Sequence, residues 1–490
     1  MRAISRRRAL LLGGLGAAAT AAGGAGLWWT VTSRFSPEAG DGFSEPEELR
    51  SADGQLKVRL EASAVSVPLG GLQASILGYN GGVPGPTLKV RGGDTLQIEL
   101  VNNLGVPTNL HVHGLHVSPQ GNGDNVFVMV RPGQSFSYEY NLPADHPPGT
   151  YWYHPHHHGM VADQVSGGLF GAIIVEEEDA PTVGRERILV VSDLTLDGTG
   201  ALAEATPMER MLGREGRLVL VNGHSSPELS ARPGERERWR IVNTCIARYL
   251  RLRLEGQQWE LLGIDLARLP APQMVDELLL APGNRADVLV TAGEGVSALR
   301  SSYYNRGSMA GMMGPAARRG DAGGTGDLML ATFSVSGAPA TTPPTPPPLP
   351  ARPAPEDLRT AVVAARRQLT LATGMGRGMG MGMMAFTING RTFDPDRTDT
   401  VVAAGTVEEW TLLNPSPMDH PFHLHVWPMQ VIEESGTAQD SVTWRDVVNI
   451  PANGQVKVRV SFTGFTGRSV YHCHILDHED QGMMGVIDVR

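Results

Sequence analysis

The stretch VYHCHILDHEDQGMMG, residues 470–485, holds three histidines, two methionines and one of the chain's two cysteines. Imidazole nitrogen and thiolate sulfur are metal donors. A thiol set between two histidines reads as a reactive group, half of a disulfide or a metal ligand, and each reading makes its own demand on the rest of the chain. Ten of the fifteen histidines fall into four short clusters. These are HVHG (His111, His113), YHPH (His154, His156), HPFHLH (His420, His423, His425) and HCHILDH (His472, His474, His478). On a β-strand, residues i and i+2 share a face, so each His-x-His pair aims two imidazoles at one point. One such pair is a common accident; four are not.

Imidazole suits copper, zinc, iron and nickel, and the cysteine narrows the choice. Two histidines and a thiolate in a trigonal array, with a long axial methionine, form the blue-copper electron-transfer site. His420, Cys473, His478 and Met483 supply that set, the last three at intervals of five along a strand and loop, with His420 from a neighbouring strand. Met484 is the alternative axial donor, one residue out of register. A Cys473–Cys245 disulfide is the weaker competing reading, because Cys245 lies in IVNTCIARYL, a strand of another domain. There it reads as a small buried residue.

Elements able to position these groups recur three times. TLKVRGGDTLQIELVNN (87–103), ELSARPGERERWRIVNT (228–244) and DTVVAAGTVEEWTLLNP (399–415) each read as strand, glycine turn, alternating strand, then Asn. A second echo follows each: MVRPGQSFSYEYNLP, LLAPGNRADVLVTAG and NIPANGQVKVRVSF, with turn glycines at Gly133, Gly283 and Gly454. Short strands with many turns, in a chain of 60 glycines and 35 prolines, predict three homologous all-β Greek-key domains. Their expected spans are 53–178, 185–335 and 361–490. A Pro-rich linker at 336–360 precedes the third. Two glycine/methionine segments, SMAGMMGP (308–315) and GMGRGMGMGMM (374–384), hold eight of the nineteen methionines.

The four clusters, in this order and divided between the first and last domains, resemble those of the multicopper oxidase family. The likeness is strongest to bacterial three-domain laccases and cuprous oxidases. It implies three consecutive cupredoxin-like Greek-key β-barrel domains and four copper ions. The type 1 copper would take His420, Cys473, His478 and Met483; the type 2 copper, His111 and His423. His113, His154, His156, His425, His472 and His474 would hold the type 3 pair. One-electron oxidation of a phenolic or metal-ion donor would feed four-electron reduction of dioxygen to water. Asp124 and Glu479 match the family's proton-relaying acids, with solvated surface carboxylates as the alternative. Val426 stands where many members of the family have glycine. His158 reads as structural rather than ligating; His116, His146, His157 and His224 have no partner spacing.

Arg6, Arg7 and Arg8 before an apolar Gly/Ala-rich run resemble a twin-arginine export signal over residues 1–32. A periplasmic or otherwise extracytoplasmic monomer is expected, with an uncleaved N-terminal membrane anchor as the alternative to a cleaved signal. A net charge of −10 argues against a nucleic-acid partner. The competing function is a copper-tolerance protein that sequesters metal. A copper-free scaffold would lack ligands that this chain retains.

Overall fold

Each pair of echoes closes into one antiparallel strand pair. Thr95–Asn102 lies against Ser135–Asn141, Arg236–Asn243 against Arg285–Thr291, and Val407–Asn414 against Gly454–Ser461. The computed structural model describes residues 43–69, 72–307, 326–340, 356–375 and 384–490. The N-terminal segment 1–32, the segment 308–315, most of the linker and residues 376–383 of the second methionine segment lie outside the described residues.

The short strand that opens each repeat (Thr87–Val90, Glu228–Ala231, Thr400–Val402) joins the opposite sheet from the long strand that follows it. The turn between them is therefore the corner where the chain passes between layers. Gly93, Gly234 and Gly405 occupy it at φ of +88°, +77° and +74°, a region closed to most side chains. The result is three cupredoxin-like two-sheet units in sequence, with sheets of four and five, six and five, and seven and five strands. One apolar core fills each unit. The second echo needs one correction: in the third copy Asn453, at φ +55°, takes the left-handed turn position expected of Gly454.

The asparagine that ends each repeat does the same work three times. Asn102, Asn243 and Asn414 are fully buried. The Oδ1 of each accepts a backbone N–H two residues on, from Leu104, Cys245 and Ser416. The Nδ2 of each donates to at least two carbonyls: Val106 and Val130, Arg248 and Leu280, or Met418 and Ile450 with Pro451 as a third. In the first and third units the loop so pinned runs directly into a histidine strand, His111–His113 or His420–Leu424. Those strands pair with Gly149–His154 and Gly467–Cys473, which carry His154 and His472 and lead directly to His156 and His474.

Asn414→Ala removes the donor for two buried carbonyls on either side of His420. We expect a loss of about 2–4 kcal/mol in urea unfolding of the copper-free protein. Asn243→Ala should cost a similar amount and leave copper binding in the third unit unchanged.

Candidate metal centre

Phe422 pairs with Cys473 across two neighbouring strands, which brings the histidine preceding Pro421 to the thiol. Cys473 Sγ lies 3.4 Å from His420 Nδ1 and 3.8 Å from His478 Nδ1, and all three residues are fully buried. The far ring nitrogens are occupied. His420 Nε2 meets Ser416 Oγ at 2.9 Å, and His478 Nε2 donates to the main-chain carbonyl of Met211 at 3.2 Å. Fixing Nε2 turns each Nδ1 lone pair toward the sulfur, as ligand histidines require. His478 sits on a short helix, Leu476–Asp480, where a loop was expected. Phe386 stacks on its ring at 4.4 Å.

The two methionines pack differently. Met483 shares the apolar cluster of Cys473 and accepts the Cys473 N–H at 3.0 Å through its carbonyl. Met484, opposite His472, packs in a separate cluster with Val126, Val470 and Val486. Cys245 and Cys473 are both free, so the disulfide reading falls. Burial pushes both thiols up, so Cys473 needs a cation to be held as thiolate.

The other eight cluster histidines converge between the first and third units. His111 Nε2 and His423 Nε2 are 3.4 Å apart. His472 Nε2 lies 3.1 Å from both His156 Nε2 and His425 Nε2. The rings of His113, His154 and His474 lie 4.9–6.0 Å apart. Desolvation lowers every one of these pKa values, to about 3 for His154 and about 4 for His472, so the rings are neutral with a lone pair to give. Both nitrogens of His113 and of His474, and Nε2 of His154, have no hydrogen-bond partner. Buried polar atoms without partners are costly, and here they face one another as a metal site requires. The donor set fits copper.

Two of the carboxylates are where the sequence placed them. Asp124 accepts the Val112 N–H at 3.1 Å and contacts His111 Nδ1 at 2.9 Å. Burial raises its pKa to about 8. Glu479 lies 3.3 Å from His472 Nδ1 and 3.6 Å from His156 Nε2; burial raises its pKa as well, and neither oxygen has a hydrogen-bond partner. The surface alternative is excluded for both.

Sequence reasoning missed Asp446. Its Oδ2 lies 3.2 Å from His113 Nε2, and its carbonyl meets His423 Nδ1 at 2.8 Å. Arg285, from the middle unit, donates to both carboxylate oxygens at 2.7 and 2.9 Å, and its Nε donates to the Thr150 carbonyl. One buried ion pair thus ties all three units together beside the histidines. It also explains the glycine of HVHG: a Cβ on Gly114 would stand 2.5 Å from Asp446 Oδ2 and 2.7 Å from Arg285 Nη2. Gly283 leaves room for His474 in the same way. Two histidines set aside in the sequence also gain partners. His116 Nδ1 donates to the Val426 carbonyl at 2.9 Å, and the His116 backbone N–H donates to His146 Nε2 at 3.0 Å. His158 lies outside the cluster, against Phe393.

Multicopper oxidase family models match residues 62–180, 185–320 and 364–490. The chain belongs to the multicopper oxidase family. It is 30% identical to the multicopper oxidase Mco of Staphylococcus haemolyticus, over 85% of this chain and 84% of that one. It is 26% identical to a laccase of Bacillus subtilis (84% and 90% covered) and 29% identical to the cell division protein FtsP of a Rahnella strain (90% and 91%). A multicopper oxidase structure from Campylobacter jejuni, described as a metallo-oxidase, superposes with a TM-score of 0.80 at 30% identity, covering 94% of this chain and 96% of that one. As a multicopper oxidase, the protein is a copper-dependent oxidoreductase with dioxygen as acceptor.

Arg285→Met would leave the Asp446 carboxylate buried without its cation. A cost of about 3–5 kcal/mol is expected in denaturant unfolding of the copper-free oxidase, and Asp446→Asn in the same chain should restore part of it.

Proposed function

We propose that the oxidase takes electrons one at a time at a type 1 copper held by His420, Cys473, His478 and Met483, and reduces dioxygen to water at a three-copper cluster. In this reading His111 and His423 hold the type 2 copper. His113, His154 and His474 hold one type 3 copper; His156, His425 and His472 hold the other. The observation that carries it is the complete donor set, buried and with several ring nitrogens lacking any other partner. Bound copper supplies the one-electron redox chemistry at both sites.

The chain's own groups do the rest. Cys473 faces the electron-accepting site while its covalent neighbours His472 and His474 face the cluster, so electrons cross through adjacent residues. Asp124 orients His111 and, kept protonated by burial near neutral pH, has a proton to deliver to reduced oxygen. Glu479 is the second such acid, beside His156 and His472. Asp124→Asn should slow dioxygen consumption at least about tenfold with blue absorption intact; unchanged turnover would remove it from the proton path. Met483→Leu should raise the type 1 reduction potential, and Met484→Leu should not.

A metal-ion donor, Cu(I) above all, is favoured over a bulky phenol. The Nε2 edge of His478 is closed by the Met211 carbonyl on helix Pro207–Leu212, which leaves an aromatic donor no ring edge to dock on. Gly307 is bridged to Met418, two residues before His420, and leads directly into SMAGMMGP. Met375 and Met384 pair on the hairpin whose second strand carries Phe386 to His478. The described residues that flank both methionine segments therefore lie beside the type 1 site, and thioethers suit Cu(I). The metallo-oxidase description of the Campylobacter structure agrees. Turnover on Cu(I), Fe(II) and a phenol, with and without residues 376–383, tests this. Deletion should slow Cu(I) oxidation and spare the phenol; equal rates on Cu(I) would make the segment a mere connector. Export by the twin-arginine segment would place this monomeric enzyme outside the cytoplasm. The likeness to FtsP raises a scaffold role, but the filled ligand positions favour the oxidase.

A further inference from the structure

We infer that His116 and Val426 form a clamp between the first and third units that positions His425 to bind metal. The inference rests on the proposed role of His425 as a cluster ligand. Val426 has a φ of +68°. Of the other eight non-glycine residues at positive φ among those described, six are Asp or Asn, which tolerate that region, and two are Ser; none is β-branched, the class for which positive φ is a genuine outlier. Left alone, the turn would relax toward negative φ and carry the adjoining His425 with it. His425 has little room for that. Its ring stacks on His111 at 3.8 Å, its Nε2 stands 3.1 Å from His472 Nε2, and its carbonyl takes the Trp427 N–H at 2.7 Å.

The group that opposes relaxation comes from the other unit. His116 Nδ1–H donates to the Val426 carbonyl at 2.9 Å. The His116 ring is itself held. Phe465 meets it edge-on at 4.8 Å, and Gly464 leaves the space its Nε2 requires, since a Cβ there would come within 2.5 Å. His146 fixes the loop that carries His116: its Nδ1–H donates to the Pro147 carbonyl at 3.0 Å, leaving Nε2 to accept the His116 backbone N–H. His116 is thus a positioning residue. It touches no ligand side chain and acts through the main chain of Val426.

A double-mutant cycle tests the clamp. The variants are His116→Phe, Val426→Gly and the pair, each loaded with copper and challenged with a copper chelator. Copper retention is followed by metal analysis, the blue absorption reports the type 1 site, and the copper-free proteins are melted. His116→Phe should weaken retention of cluster copper roughly tenfold or more, with the blue absorption preserved. His116→Asn, whose amide nitrogen stands where the ring Nδ1 stood, should recover most of it. Val426→Gly alone should keep its copper and melt higher without metal. In that background His116→Phe should change retention by less than about twofold, because glycine needs no clamp. Equal losses in both backgrounds would overturn the clamp and leave the cluster assignment standing. A wild-type chain that binds only the blue copper would overturn both together.

Discussion

Eight imidazoles buried together, at the seam between two β-sandwiches, are the condition on which the rest of the structure depends. Each ring must stay neutral, since a protonated ring offers no lone pair to a metal, and burial lowers every pKa in the group. The same burial denies several ring nitrogens a hydrogen bond, at about 1–3 kcal/mol for each unsatisfied group. Metal coordination offsets that cost. Without metal the rings must be kept apart by rigid surroundings, and sheet strands pinned by buried asparagines provide them. Domain architecture follows from this need: two sandwiches supply ligands and the third braces them.

The carboxylates around the seam divide by whether a cation accompanies them. Asp446 has Arg285 on both its oxygens, and the pair acts as a joint between units. Asp124 and Glu479 have no such cation, so burial drives both toward the protonated form. A buried carboxylate is held charged or driven toward the protonated form according to whether a guanidinium stands beside it. Asp480, next to Glu479, has a third duty. It accepts the N–H groups of Gly159, Val161 and Ala162 and so caps a helix of the first unit from the third.

Much of this was legible in the sequence because it is local. His-x-His spacing on a strand, the thiol between two histidines and the thrice-repeated strand–turn–strand–Asn all express periodicities of two or turn chemistry. The placement of Asp124 and Glu479 came from likeness to a family, and the geometry supports both. Asp446 and Arg285 were invisible because they stand 161 residues apart and each is one charge in an otherwise ordinary strand region. His116 was passed over for the same reason: its partner is a backbone carbonyl 310 residues away. Val426 was noticed as a departure from glycine, but only the structure shows that it takes a positive φ, the backbone geometry that glycine favours. That Met483 packs with Cys473 and Met484 apart from it came only from the structure, since spacing alone allows a slip of one residue.

The cluster histidines come in two lots, one from residues 111–156 and one from 423–474, with the whole middle sandwich between them in the chain. Such an arrangement closes like a clasp. A growing chain makes the first four of these imidazoles more than 260 residues before the other four. The strand that backs them, Met484–Val489, comes later still. Neither lot can hold the cluster alone, so the site exists only once the two outer sandwiches have folded and met.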